Sequence, residues 1–217
     1  MYNLHCHSLL SDGVLLPSEI AVRFAAVGYK LIAITDHVDY SNIELITDSI
    51  LKFCRFWPKD SQIKVLPGVE LTHLALNQFK PLSRLCRKKG IKVIVGHGQT
   101  PAEPVIKGTN IACLEADIDI LAHPGYITEE ETKLAKEKGI FLELSSRKLH
   151  GDTNSHVAAL ALKFGAKLIL NTDGHAPCDI ITPEELKEVG KMSGLTESNI
   201  INLYKDLEDF LKTKGAK

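Results

Sequence analysis

Short apolar runs alternate with longer amphipathic segments along most of this chain, and this alternation is the strongest constraint on its fold. Seven runs are predicted to be buried strands, at residues 2–6, 31–35, 64–66, 91–95, 118–122, 140–144 and 167–170. Strand followed by helix, repeated with short connections, predicts parallel strands joined by right-handed crossovers. The periodicity does not distinguish an open doubly wound sheet from a closed barrel.

Helix start and stop residues bound the segments between these strands. Thr128 and Glu131 form a capping-box pattern, while Gly90 and Gly139 stand where helices end. Helices are predicted at 17–28, 42–56, 79–89, 128–139 and 154–164, from 182 onward, and at 198–211. The helix at 198–211 has one apolar stripe, which favours packing on the rest of the domain over binding a partner. Because no linker or composition shift divides residues 1–217, we expect a single domain.

Charge and cysteine usage narrow the class of protein. The 26 Lys and Arg residues balance the 27 Asp and Glu residues, which argues against a broad nucleic-acid-binding surface. No apolar run approaches the roughly 20 residues of a membrane helix, and the N-terminus does not resemble a secretory signal. Five widely spaced cysteines with no CxxC pair fit free thiols in a reducing compartment. We therefore expect a cytoplasmic protein with no membrane partner.

Six of the nine histidines, together with two carboxylates, stand at the ends of the predicted strands or just beyond them. They are His5 and His7 for the first strand, His37 for the second, Glu70 for the third, His97 for the fourth, His123 for the fifth, and Asp173 and His175 for the seventh. In parallel folds this is the face where sites are built. An open sheet would spread these groups along a crevice, whereas a barrel gathers them at one mouth. Their number therefore favours the barrel.

The HxH pair in the first strand has the spacing of a metal-binding pair. Residues i and i+2 of an extended strand point the same way, so His5 and His7 can bind one ion. Cys6 between them is expected to point to the opposite side, and we exclude it as a ligand. Such a pair alone is a weak signal, but the further strand-end ligands make it strong.

Six short motifs resemble those of the PHP (polymerase and histidinol phosphatase) superfamily. They are HCHSLLSDG at 5–13, ITDH at 34–37, GVE at 68–70, GHG at 96–98, LAHPG at 121–125 and NTDGH at 171–175. The resemblance implies a distorted (β/α)7 TIM-like barrel with up to three divalent metal ions, zinc, manganese or iron, at its mouth. It also implies three ligand sets. The first is His5, His7, Glu70 and Asp173; the second is His97 and His123 with Glu70 as a bridge; the third is Asp12, His37 and His175.

The implied charge of such a trinuclear site suits a phosphate ester. Three divalent ions outweigh the carboxylates of Asp12, Glu70 and Asp173, so the mouth remains positive toward a phosphomonoester dianion. A metal-bridging hydroxide, held at Glu70, is the expected nucleophile, and no side-chain nucleophile is needed. Asp36 is expected to orient a ligand histidine.

Substrate contacts are predicted on the loop after the sixth strand and on the helix that follows it. Arg147 is predicted to clamp phosphate and Lys148 to assist it, the alternative being a solvated basic loop. Asn154 and His156 stand where a helix N-terminus can receive an anion, although Asn154 also suits a helix N-cap. The segment 99–110 is predicted to be a polar loop, and His73, His150 and Lys107 are assigned no role.

The leading functional hypothesis is a metal-dependent phosphatase that hydrolyses a small phosphomonoester. The resemblance makes L-histidinol phosphate the first candidate substrate. One alternative is a phosphodiesterase or 3'-5' exonuclease like the PHP domains linked to DNA polymerases. An alternative of another class is a non-catalytic, metal-binding regulatory protein. The oligomeric state stays open.

Overall fold

A parallel sheet runs through the computed structural model, which describes residues 1–215. Its strands are β1 (Tyr2–Asn3), β2 (Leu31–Ile34), β3 (His37–Val38), β4 (Lys64–Leu71), β5 (Val93–His97), β6 (Ile120–Ala122), β7 (Phe141–Ser145) and β8 (Leu168–Asn171). All recorded strand pairs are parallel, in the order β1-β2-β4-β5-β6-β7-β8, with the short β3 paired beside β4. The seven predicted strands are therefore confirmed, with shifted ends.

Helices follow most of the strands and cover the outside of the sheet. They are α1 (Pro17–Ala26), α2 (Ile43–Phe56), α3 (Phe79–Lys89), α4 (Thr109–Leu114), α5 (Glu129–Lys138), α6 (Asn154–Phe164), α7 (Pro183–Met192) and α8 (Glu197–Thr213). Helix α4 begins inside the segment predicted to be a loop, directly after Gly108 in the left-handed conformation. None of the helices within residues 1–215 has the length and hydropathy needed to cross a membrane.

Two buried asparagines help to close the sheet into a barrel. Asn3 Oδ1 accepts the Thr172 N–H at 2.7 Å, and Asn171 Oδ1 accepts the Leu4 N–H at 2.8 Å. Further along the same seam, the Asp173 N–H donates to the His5 carbonyl at 3.0 Å. Within residues 1–215, β1 and β8 do not form a regular strand pair, and these bonds join the two strands instead. The chain is thus a single α/β domain with a nearly closed seven-stranded barrel, rather than an open sheet.

We expect Asn3→Ala to weaken this seam and to destabilise the protein. Its amide serves the buried Thr172 N–H and the His5 carbonyl, and an unsatisfied buried polar group costs about 1–3 kcal/mol. Urea unfolding should therefore show a drop of that size in the free energy of unfolding. Asn202→Ala, on the exposed side of α8, is the matched control. Equal stability of the two variants would contradict the role of Asn3.

Alternation along the strands separates an inner core from an outer one. Inner residues such as Ala33, Val95 and Phe141 meet inside the barrel, where Leu207 and Leu211 of α8 join them. Residues between these positions, such as Ile34, pack outward against the helices. Side chains of successive strand residues point to opposite faces, so each strand also delivers every second residue toward the barrel mouth.

Candidate metal centre

All nine predicted ligands lie together at the carboxyl-terminal mouth of the barrel. Glu70 of β4 continues the inward face of its strand and is fully buried. His97 ends β5, while His37 lies in β3 beside β4. His123 and Asp173 follow their strands with positive φ angles of 28° and 49°, a backbone conformation that is costly for these residue types and that clusters at functional sites.

A first group of ligand atoms is centred on the carboxylates of Glu70 and Asp173. His5 Nε2 lies 3.5 Å from Glu70 Oε1 and 3.5 Å from Asp173 Oδ1. His7 Nε2 lies 3.3 Å from Asp173 Oδ1 and 3.7 Å from Glu70 Oε2. Both histidines of the HxH pair thus face the same two carboxylates, as their spacing predicts.

Glu70 also reaches a second group on the opposite side. Its Oε1 lies 3.6 Å from His123 Nε2, and the rings of His123 and His97 are 4.5 Å apart. One ligand atom from each of these three residues lies within 4.8 Å of the others. Glu70 therefore belongs to both groups, and its predicted role as a bridge between two ions stays a prediction.

A third group surrounds Asp12, on the loop between β1 and α1. Asp12 lies 3.3 Å from His175 Nε2 through Oδ2, and 3.5 Å from His37 Nε2 through Oδ1. The structure adds His7 to this set, since its ring lies 4.1 Å from that of His175 and 4.2 Å from that of His37. His7 therefore stands between the first and third groups.

The donor atoms fit divalent metal ions. His5 Nε2, both ring nitrogens of His7 and Glu70 Oε1 are buried with no hydrogen-bond partner within residues 1–215. Burying polar atoms without partners is energetically costly, so a cluster of such nitrogen and oxygen atoms indicates a bound ligand. Imidazole nitrogens mixed with carboxylate oxygens suit zinc, manganese and iron.

The local electrostatics favour the metal-binding form of Glu70, His7 and His123, whereas neighbouring carboxylates outweigh burial and raise the pKa of His5, His37 and His97 in the absence of metal. Burial raises the pKa of Glu70, but the neighbouring His5 and His37 outweigh it and hold that pKa well below its ordinary value. Burial, together with the adjacent imidazoles, lowers the pKa of His7 and of His123. An ionised carboxylate and neutral imidazoles are the states that a metal ion requires.

Glu143 is a buried residue that the sequence interpretation missed. It lies in β7 with its side chain fully buried. Its Oε1 accepts from His5 Nδ1 at 2.7 Å and from Asn171 Nδ2 at 2.9 Å, and its Oε2 accepts the His123 N–H at 3.1 Å. This arrangement directs His5 Nε2 toward Glu70 and fixes the backbone of His123. The available signal was a carboxylate in the middle of an apolar predicted strand.

Asp36 orients a loop rather than a ligand histidine, which corrects the earlier expectation. Its Oδ1 accepts the Ser8 N–H at 2.8 Å and the Ser11 hydroxyl at 2.7 Å, and its Oδ2 accepts the Ser8 hydroxyl at 2.8 Å. Ser8 and Ser11 belong to the turn that leads from His7 to Asp12. Asp36 thus fixes the position of Asp12 in the third group indirectly, because its carboxylate accepts hydrogen bonds from the turn that carries Asp12.

Arg147 is the predicted substrate residue that the structure places beside the ligand groups. Its Nη1 lies beside the His175 ring, 2.8 Å from Nε2, and 3.5 Å from Asp173 Oδ1, with about a third of the side chain exposed. Lys148 is exposed on the same loop. The position therefore suits a group that meets an incoming anion at the rim.

The other two predicted substrate residues are bound to neighbouring backbone. Asn154 is buried, its Oδ1 accepting the Ser145 N–H and its Nδ2 donating to the Ser145 carbonyl. It makes no N-cap bond and instead begins α6. His156 Nε2 donates to the Ile127 carbonyl at 2.7 Å. Both side chains tie loops together, and substrate contact stays a prediction for Arg147 and Lys148.

Comparison with known proteins identifies the family. The PHP domain matches residues 3–138, which is more than half of the chain. The chain belongs to the PHP domain family. It is 40% identical over 206 residues to an uncharacterized protein of Methanocaldococcus jannaschii, with 93% of each chain covered. The resemblance expected from the motifs is therefore confirmed.

More distant PHP-related proteins carry functional names. The chain is 26% identical to a protein of Thermoanaerobacter sp. named a probable phosphatase, covering 88% of this chain and 85% of that one. It is 25% identical to the DNA polymerase/3'-5' exonuclease PolX of Bacillus subtilis, of whose length it spans 40%. A Listeria monocytogenes structure titled "putative histidinol phosphatase" has the same fold, with a TM-score of 0.62 at 12% identity, covering 85% of this chain and 99% of that one.

Proposed function

We propose that this PHP protein is a metal-dependent phosphomonoesterase acting on a small phosphorylated metabolite, with L-histidinol phosphate the first substrate to test. The observation that carries the proposal is the convergence of nine potential ligands at one mouth, with Glu70 shared by two groups. Membership of the PHP family supports a hydrolase. Likeness to a protein named as a phosphatase along most of its length favours phosphate ester hydrolysis.

Each ligand group has a defined part in this proposal. His5, His7 and Asp173 would hold one ion, His97 and His123 would hold a second with Glu70 shared by both groups, and Asp12, His37 and His175 would hold a third. Such ions, when bound, polarise a phosphoryl oxygen and lower the pKa of water to near neutrality. The protein supplies fixed ligands, and the guanidinium of Arg147 neutralises and orients the phosphate.

A groove beside the mouth has the size for a small leaving group. It encloses about 370 Å³ and includes Asp12, His37, Asp39, Asn42 and Glu103 in its lining. Small-molecule sites are typically about 300–1,000 Å³. No lysine or arginine occurs among the described lining residues, and three are carboxylates. The groove thus offers no lysine or arginine to contact the phosphates of a nucleic-acid strand, which favours a monoester over a nucleic acid.

A 3'-5' exonuclease is the second candidate, favoured by the match to the polymerase-linked relative. The discriminating test is hydrolysis of p-nitrophenyl phosphate, a panel of phosphorylated metabolites including L-histidinol phosphate, and a 3'-labelled oligonucleotide. Each substrate is assayed with Mn²⁺ or Zn²⁺ and with chelator. We expect metal-dependent turnover of monoesters. Cleavage of the oligonucleotide alone would support the exonuclease, and tight metal binding without any turnover would favour a regulatory protein.

Arg147→Ala is expected to raise KM for phosphomonoesters while leaving the metal content unchanged. The guanidinium contacts the ligand region from the rim and is not itself a ligand, so its loss removes substrate binding. Loss of a charge-assisted hydrogen bond of about 1.5–3 kcal/mol corresponds to roughly a 10- to 150-fold effect on kcat/KM. Steady-state kinetics with metal analysis checks this, with Arg84→Ala on α3 as a control. An unchanged KM would count against the phosphate clamp.

A further inference from the structure

Glu103, on the loop between β5 and α4, contacts three histidines at the mouth. Its Oε2 lies 3.2 Å from His73 Nε2 and 3.2 Å from His97 Nε2. Its Oε1 lies 3.4 Å from His150 Nε2. These histidines come from three different segments of the barrel top. Glu103 was not singled out in the sequence, and His73 and His150 were given no role.

The loop that carries Glu103 is anchored by side-chain bonds. Gln99 Oε1 accepts the N–H groups of Gly108 and Asn110 at 3.0 and 3.1 Å, and Asn110 Oδ1 accepts the Gln99 N–H at 2.9 Å. Asn110 Nδ2 also donates to the Pro124 carbonyl at 2.9 Å. Both ends of the loop are thereby tied together and to the next strand connection. The carboxylate of Glu103 is held over the mouth by this frame.

His97 connects Glu103 to the second ligand group. Ligand atoms of His73, His97 and Glu103 lie within 4.8 Å of one another, as do those of Glu70, His97 and His123. His97 Nδ1 lies 3.1 Å from the Gly98 carbonyl, which leaves Nε2 as the ligand atom. A neutral imidazole nitrogen has one lone pair and binds one ion. An ion bound at His97 Nε2 therefore lies beside Glu103 Oε2, which is 3.2 Å from that nitrogen.

We propose that Glu103 is an additional ligand of the ion held by Glu70, His97 and His123. This inference rests on the metal-binding part of the proposed function and assigns the β5–α4 loop to the metal centre. Glu103 Oε2 faces His97 Nε2 and supplies the ligand atom. Glu103 Oε1 is held on the other side by His150.

The surroundings of His150 support this orientation of the carboxylate. Its side chain is only 5% exposed, and its ring lies 4.3 Å from that of His123. Its Nδ1 is buried with no hydrogen-bond partner in the described part of the chain.

An additional carboxylate changes the character of the second ion. Two carboxylates with two imidazoles form a set with more oxygen than the motif residues alone provide, which suits manganese or iron better than zinc. The extra negative charge also lowers the positive charge that the mouth presents to substrate.

The test is Co²⁺ binding to the metal-free protein, compared between wild type, Glu103→Gln and Glu103→Asp. Visible absorption reports the ligand set, and calorimetry with metal analysis reports affinity and stoichiometry. We expect Glu103→Gln to weaken one Co²⁺ site by at least the roughly 10- to 100-fold seen when outer ligand partners are removed, with a changed spectrum. Glu103→Asp should restore part of the affinity. Glu115→Gln, exposed after α4, is the control for charge.

Unchanged Co²⁺ affinity, stoichiometry and spectrum in Glu103→Gln would overturn the assignment. Glu103 is about one third exposed on a loop, so the variant is expected to fold, and far-UV circular dichroism checks this. The outcome is separable from the phosphatase proposal. If the wild type hydrolyses no phosphate ester but Glu103→Gln binds Co²⁺ more weakly than the wild type, the Glu103 assignment is supported and the phosphatase proposal fails.

Discussion

Glu70→Gln is expected to abolish most phosphomonoesterase activity and to reduce the bound metal at two positions at once. Its carboxylate is fully buried, and it lies 3.5 Å from His5 Nε2 and 3.6 Å from His123 Nε2 through the same oxygen. A neutral amide replaces a negative bridging group, so both ions lose charge compensation. The loss of activity should be at least the roughly 10- to 100-fold that weaker perturbations of metal sites produce.

Metal analysis and kinetics on the same preparation check this result. Inductively coupled plasma mass spectrometry after dialysis gives the stoichiometry, and p-nitrophenyl phosphate hydrolysis gives the activity. Glu137→Gln, exposed on α5, makes the same chemical change away from the mouth and should behave as wild type. Full metal stoichiometry in Glu70→Gln would refute the bridging assignment, whatever the activity.

Glu143→Gln is expected to weaken metal binding although Glu143 is not proposed as a ligand. Three N–H donors, from His5, Asn171 and His123, converge on its two oxygens. An amide replaces one acceptor by a donor, so at least one buried N–H is left unsatisfied at about 1–3 kcal/mol. The ring of His5 loses its fixed orientation, and metal affinity should fall by about 10- to 100-fold.

A purely structural role would lower stability and leave the metal affinity of the folded protein unchanged. Metal affinity is therefore measured by calorimetry well below the unfolding temperature, and thermal unfolding is followed in parallel. Glu131→Gln is the matched control, because Glu131 is also buried and its capping contact with Thr128 is available to glutamine. Wild-type affinity in Glu143→Gln would exclude the positioning role.

The strand pattern predicted parallel strands, the strand-end residues favoured a barrel with one mouth, and the resemblance to the PHP superfamily implied the seven-stranded barrel. Alternating strands and helices restrict the topology, and residues at strand ends meet at one rim in any parallel barrel. Histidine and carboxylate at nearly every such position therefore had to converge. The spacing of His5 and His7 likewise predicted two side chains on one face, with Cys6 packed outward in the outer core.

Loop residues were less predictable because their position depends on contacts distant in sequence. Glu103 reaches His73, 30 residues away, only through a loop held by Gln99 and Asn110. Asn154 had the sequence context of a helix cap, yet its amide pairs with Ser145 across a turn. Nothing in the local pattern at these positions distinguishes a rim contact from a loop brace.

The sequence by itself determined the α/β class and the residue types at the strand ends, because the periodicity of strands and helices is a local property. The tertiary structure alone decided how those ligands divide among groups. It placed His7 between two groups, Glu143 behind His5 and His123, and Glu103 beside His97. These relations depend on the closure of the seam and on loop packing, because a shift of about an ångström decides whether a side chain can bind a metal ion or not.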